Sequence, residues 1–160
     1  MAHRAQHDPI HNDDIIYTPD VLVFKSDTVK PELMDEADWY EVDVITCAAP
    51  NLREKPSNAF NTGDGKDAIK ITDKDLLAIH EKRLRRILDV ALSNKVETIV
   101  LGAFGCGAFM NNPNVVAQAS KNVVNEYLYA FKNIEFAVYC SQKDDTNYRI
   151  FDGVLKPYTK

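Results

Sequence analysis

The chain has 160 residues, 45% of them hydrophobic and 27% charged, a balance that fits one globular domain built around a single core. A formal net charge of −5 argues against a nonspecific nucleic-acid binder, which normally carries a basic face. No run approaches the ~20 apolar residues that cross a bilayer and no signal-peptide pattern opens the chain, so a cytoplasmic protein without a membrane partner is expected.

Residues 1–16 are polar and read as an extended N-terminal arm. His3, His7 and His11 recur every four residues, but Pro9 interrupts any helix that would align them, and no metal site is expected. Ile15-Ile16-Tyr17 and Val21-Leu22-Val23-Phe24 form two short extended segments around the turn residues Thr18-Pro19-Asp20. Lys25 to Asp38 is a charged surface excursion. Val42 to Ala49 is a nearly continuous apolar run closed by Pro50-Asn51, the pattern of a buried central strand. Residues 52–72 read as a long loop, and loops of that length in compact domains are often functional.

Thr72 is placed to cap a helix over 73–93, whose apolar face carries Leu76, Ile79, Leu84, Ile87, Leu88 and Ala91. Lys82, Arg83, Arg85 and Arg86 are expected on its solvated side. Glu97 to Leu101 supplies the next strand. Asn112 and Pro113 then suit the cap and first turn of a second amphipathic helix, extending to about 131. Ile134 to Cys140 is a third apolar run, and Tyr148 to Phe151 opens a last helix. The expected fold is a three-layer α/β/α sandwich in one domain spanning 1–160. Residues 43–49, 97–102 and 134–140 would be strands of one mixed, centrally parallel sheet. Cys47, Cys106 and Cys140 are far apart, form no CxxC pair, and do not suggest a disulfide framework. Cys47 and Cys140 read as small buried side chains at strand ends, and Cys106 as a close-packed residue of a glycine loop.

That loop is the most informative segment. An apolar strand, Ile99 to Leu101, runs into Gly102-Ala103-Phe104-Gly105-Cys106-Gly107-Ala108-Phe109, and a helix starts just beyond it. Glycines let the backbone approach a ligand closely, while free N–H groups and the positive end of a helix dipole favour an anion. The spacing is neither the dinucleotide fingerprint nor a P-loop, since no Gly-Lys-Ser/Thr follows. A bulky Gly105→Val change is expected to abolish ligand binding and leave the fold largely intact.

Three segments together carry a resemblance. They are Ile16-Tyr17-Thr18-Pro19-Asp20-Val21, then Val44-Ile45-Thr46-Cys47-Ala48-Ala49-Pro50-Asn51, and then Val100 through Phe109 followed by Asn111, Pro113, Val116 and Ala117. In this pattern the chain resembles the microbial-type poly(ADP-ribose) glycohydrolases, which have a macrodomain fold. The resemblance runs from about His3 to Cys140 and implies that residues Gly102, Ala103, Phe104, Gly105, Cys106, Gly107, Ala108 and Phe109 wrap the diphosphate of ADP-ribose. It also implies that Phe109 contacts the ligand, and that no cofactor is needed. The family's catalytic Gly-Gly-Gly stretch with its following Gln-Glu-Glu occurs nowhere in the sequence. The chain therefore corresponds to the C-terminal part of such a protein, an N-terminally shortened macrodomain, and its catalytic residues are unknown.

Cleaving a ribose–ribose bond needs a general acid and stabilisation of an oxocarbenium-like transition state. The acidic candidates left are Asp8, Asp13, Asp14 and Asp64, each more easily read as a surface or turn residue. The leading expectation is binding of ADP-ribose, an ADP-ribosylated protein or a related nucleotide diphosphate, without glycohydrolase activity. One alternative is an active enzyme whose site is completed by a partner chain or a substitute carboxylate. Another is an interaction module with a vestigial pocket. Uncovered strand edges would lead to a homodimer, or to an N-terminal arm folded over the gap.

Overall fold

The structure is a computed structural model and describes residues 8–57, 59, 64–141 and 143–156. Four strands and three α-helices follow one another as β1 (Ile15–Val23), β2 (Tyr40–Cys47), α1 (Asp73–Ser93), β3 (Thr98–Leu101), α2 (Pro113–Tyr127), β4 (Asn133–Phe136) and α3 (Thr146–Leu155), with a 3₁₀ turn at Glu36–Asp38.

Both long helices begin where the capping chemistry puts them. The Thr72 hydroxyl accepts from the Asp75 N–H at 3.1 Å, and the Asn112 side chain accepts from the Asn114 N–H at 3.1 Å with Pro113 in the first turn. The first helix ends at Ser93 as expected. The second stops at Tyr127, four residues short of 131, as the chain turns through Ala130 towards β4.

The two segments expected around Thr18-Pro19-Asp20 are one strand. β1 runs antiparallel to β2 from Ile15↔Cys47 to Val23↔Tyr40, with the register shifting between Thr18 and Val21. A bulge accommodates the proline, which cannot donate to the ladder, and Asp20 takes a φ of 55° there. β3 and β4 pair in parallel from Thr98↔Asn133 to Leu101↔Phe136. The third apolar run leaves this ladder after Phe136. Cys140 is therefore exposed rather than buried at a strand end, whereas Cys47 is half-buried.

The α/β class holds, with a parallel pair, an antiparallel pair and helices packed against them. The expectation of one continuous sheet does not: among the described residues β1–β2 and β3–β4 are separate two-stranded ladders. Sequence periodicity locates strands but carries no information about which strand lies between them. As a result β2, read from its apolar run as buried, exposes Val42 and Val44 by 38% and 37%, and Val100 of β3 is 61% exposed.

Helix α1 bridges the two ladders. Its Ile87, Leu88 and Ala91 share a core with Ile99, Val123 and Phe131, and Ile45 and Cys47 of β2 pack against the same cluster. A second cluster joins Val116 and Ala117 of α2 to Phe151 and Leu155 of α3, with Phe104 and Phe136 beside it. Burial of a Leu, Ile or Phe side chain stabilises by about 1.5–3 kcal/mol, so these contacts fix both strand exits relative to the helices.

Arg83 departs from the helical-face reading. Instead of lying on a solvated side it is 1% exposed. Its guanidinium donates to the carbonyls of Ala48 (3.0 Å), Ile10 (2.8 Å) and His11 (3.0 Å) and to the Asp13 carboxylate (3.0 Å). A buried charge is tolerable only when its donors are met in this way. The described end of the N-terminal arm is consequently tied to α1 and to the exit of β2. His3 and His7 lie outside the described residues.

Candidate functional site

β2 and β3 each end in a segment without regular structure, and the two exits are bound to each other. Asn111 organises the junction from a position 2% exposed to solvent. Its amide nitrogen donates to the carbonyls of Pro50 (2.7 Å), Gly105 (3.0 Å) and Phe109 (3.2 Å). Its Oδ1 lies 2.8 Å from His80 Nε2. Because the Asn111 nitrogen is fixed as donor, the oxygen must accept, and His80 carries its proton on Nε2. Burial holds the His80 pKa below the ordinary histidine range, although the Asn111 bond opposes this, and the ring is kept neutral. The Phe104 ring meets it edge-on, with centroids 5.6 Å apart.

Within the glycine loop, Phe104, Cys106, Met110 and Asn111 direct their N–H groups back to loop carbonyls at 2.9–3.0 Å. The N–H groups of Gly105, Gly107, Ala108 and Phe109 have no such backbone partner among the described residues. Gly105 has a φ of +79°, and a Cβ there would stand 2.8 Å from both Ala49 Cβ and Asn111 Nδ2. Only glycine fits. The Gly105→Val expectation is therefore corrected: that substitution strains the junction itself and tests folding before it tests binding. Gly107 differs, since a Cβ there meets nothing within 4 Å.

Phe109 closes the loop between two further groups. The His11 ring stacks on it with centroids 6.1 Å apart, and the Arg53 guanidinium carbon lies 5.6 Å from its centroid. Arg53 is itself oriented by Asn51 Oδ1 (3.1 Å) and the Pro56 carbonyl (3.1 Å). The Leu52 N–H donates to the Phe109 carbonyl at 2.9 Å, completing the link between the β2 exit and the loop.

The four acidic candidates have different fates. Asp8 is exposed and accepts from the Ile10 N–H at 2.9 Å as a turn residue, and exposed Asp14 accepts from the Asn12 amide at 2.6 Å. Asp13 is bound by Lys82 (2.5 Å) and Arg83, whose hydrogen bonds hold its carboxyl below the usual range. Asp64 alone lies beside the loop. It is 5% exposed, accepts from Asn51 Nδ2 at 2.7 Å, and is 3.3 Å from His11 Nε2. Cys106 is half-buried, and burial pushes its thiol up to about 12, which leaves it protonated and a poor nucleophile at neutral pH.

The sequence names the glycine loop, and Asn51 and Asn111 enter there only as residues of the resemblance, while Arg53 and His80 are not singled out. A usable signal was available for Asn51. Pro50-Asn51 ends one apolar strand as Gly102 ends another, and open α/β sheets gather their binding groups at such strand exits.

No protein-family model and no curated protein sequence matches the chain. Solved structures do. The poly(ADP-ribose) glycohydrolase of Deinococcus radiodurans in complex with ADP-ribose superposes with a TM-score of 0.76 at 27% identity, covering 96% of this chain and 56% of that one. The apo form of the same enzyme gives a TM-score of 0.70. The poly(ADP-ribose) glycohydrolase of Thermomonospora curvata bound to the inhibitor ADP-HPD gives 0.74 at 26% identity, covering 91% of this chain and 50% of that one. The chain spans about half the length of the enzymes it matches. In fold and in sequence it resembles the C-terminal part of the microbial-type poly(ADP-ribose) glycohydrolases, with a macrodomain-like α/β architecture.

Proposed function

We propose that the chain binds ADP-ribose, or a related nucleotide diphosphate, through the loop from Gly102 to Phe109, and that it does not hydrolyse poly(ADP-ribose) by itself. The observation that carries the reading is the set of N–H groups at Gly105, Gly107, Ala108 and Phe109 without a backbone partner among the described residues, in a loop whose Gly105 and Phe109 carbonyls are bound by the buried Asn111 and which leads to the N-terminus of α2. Such a cradle suits a diphosphate, and the Arg53 cation beside Phe109 adds favourable charge. The likeness to glycohydrolase structures holding ADP-ribose or ADP-HPD supports the same ligand class.

Binding alone does not lower a chemical barrier. The Gln-Glu-Glu segment that bears the family's acid is absent from the sequence, and Asp64, the buried one of the four acidic candidates, is engaged by Asn51 and lies 3.3 Å from His11. General acid assistance is commonly worth ~10²–10⁴ in rate, and loss of the ribose-positioning loop removes more. Incubation of the purified chain with poly(ADP-ribose) should release no ADP-ribose above the uncatalysed background. Turnover near the rate of a longer glycohydrolase would overturn this part of the proposal. The active-enzyme alternative would then require Asp64, and an Asp64→Asn variant would show it.

A cytoplasmic location is part of this proposal, and there the three free thiols at Cys47, Cys106 and Cys140 would stay reduced. Among the described residues no helix is long and apolar enough to cross a membrane.

A further inference from the structure

The Phe109 ring belongs to neither apolar core cluster, so the core does not set its position. Its backbone is fixed, because the carbonyl accepts from the Leu52 N–H at 2.9 Å and from Asn111 Nδ2 at 3.2 Å. The ring itself is held by two polar side chains, the stacked His11 imidazole and the Arg53 guanidinium. Asn51, fully buried, joins these two holders. Its Oδ1 accepts from Arg53 Nε at 3.1 Å, and its Nδ2 donates at 2.7 Å to Asp64 Oδ2, the oxygen that lies 3.3 Å from His11 Nε2. The His11 backbone is pinned as well: its N–H donates to the Asp8 carbonyl at 3.1 Å, and its carbonyl accepts from Arg83 at 3.0 Å. Two features of His11 oppose folding. Its φ of 60° is left-handed, uncommon for a residue other than glycine, and its Nε2 is shut off from solvent with no hydrogen bond among the described residues. Such features persist where the surroundings over-determine them, and they gather at ligand sites.

Resting on the diphosphate-binding reading above, we propose that His11 is a positioning residue of that site. It sets the Phe109 ring in its ligand-contacting orientation before the nucleotide diphosphate arrives. A ring ordered in advance loses no rotamer freedom on binding, so affinity rises although His11 acts only through Phe109. Asp64 keeps the imidazole in place, and Asn51 couples that hold to Arg53, so the arm and the 51–64 segment act on one ring. The setting of residues 8–13 therefore reaches the ligand, because the Arg83 contacts that tie down the arm also fix His11 beside Phe109.

The test is calorimetric titration of the full chain with ADP-ribose, carried out on the unmodified protein, His11→Asn, His11→Phe, Phe109→Leu and the double variant His11→Asn/Phe109→Leu. Asparagine tolerates a left-handed backbone and keeps a polar group but has no ring, whereas phenylalanine keeps the ring and lacks the nitrogens. Circular dichroism and melting temperature establish that each protein is folded at the temperature used. His11→Asn should bind roughly fivefold or more weakly, and His11→Phe should recover affinity to within about twofold of the unmodified chain. In the Phe109→Leu background, adding His11→Asn should change affinity by less than about twofold, since the ring it acts through is gone. This cycle decides the matter even if the His11→Phe protein folds poorly. Unchanged affinity of His11→Asn or of Phe109→Leu would overturn the proposal. So would a folded His11→Phe protein as weak as His11→Asn, or additive losses in the double variant, which would show His11 acting on the ligand or the fold directly. Absence of binding by the unmodified chain overturns the diphosphate reading and this proposal with it, whereas binding that ignores His11 overturns this proposal alone.

Discussion

His80 Nε2 donates to Asn111 Oδ1 at 2.8 Å, with both side chains only 2% exposed. Through this bond a residue of α1 fixes the amide plane that holds three carbonyls from the β2 exit and the glycine loop. Asn111→Ala would leave one buried N–H and several carbonyls unmatched. Each such group costs about 1–3 kcal/mol, and a loss near 3 kcal/mol is expected by urea unfolding. A change below ~1 kcal/mol would show that the junction does not depend on Asn111.

The arm is anchored separately. Asp13→Ala removes the carboxylate that meets buried Arg83 and the exposed Lys82. Breaking a fully buried pair costs about 3–5 kcal/mol. Arg83 keeps three carbonyl partners and Asp13 is partly exposed, so about 2 kcal/mol is expected here. Limited proteolysis should cut near residues 8–14 sooner in the variant, and unchanged digestion would refute the clamp.

Stability should fall in acid in two stages. His80 has a folded pKa below its unfolded value of about 6.5, so below that pH the unfolded chain binds more protons and stability declines as pH falls towards the folded value. Asp13, depressed by Lys82 and Arg83, contributes stability above its unfolded value of about 3.9 that is lost as pH falls through the folded one. Thermal melts of His80→Gln should lack the upper stage and retain the lower. Identical pH profiles for both proteins would contradict the assignment.

The thiols should separate by exposure and ionisation. Cys140 is exposed, while burial pushes Cys106 up to about 12 and also raises Cys47. Alkylation of the native protein at neutral pH should mark Cys140 first and Cys106 last, as read by peptide mass spectrometry. Prompt labelling of Cys106 would show that the loop opens or that its thiol is activated.

These residues also show where sequence reasoning reaches and where it stops. The Asn112-Pro113 cap was legible because helix initiation is local, whereas the packing of Gly105 against Ala49 was not, because that contact is remote in sequence. Arg83 was not, because its partners at Ile10, His11 and Asp13 lie about seventy positions away and two of them are carbonyls, which every residue carries. The division of the sheet was equally hidden. Ile45 and Ile99 read as strand residues in either arrangement, and their periodicity does not say whether another strand lies between them. Cys140 was misplaced because an apolar run gives no sign of where its ladder partner ends, here after Leu101↔Phe136.

The most direct measurement is isothermal titration of the chain with ADP-ribose, repeated on Gly107→Leu. A side chain at Gly107 points into open space, so the variant should keep the native circular dichroism spectrum and melting temperature while obstructing the cradle. The account expects saturable single-site binding by the unmodified chain and at least tenfold weaker binding by the variant, a loss of about 1.4 kcal/mol or more. Absence of binding by the unmodified chain, or equal affinity of a correctly folded Gly107→Leu protein, would contradict it.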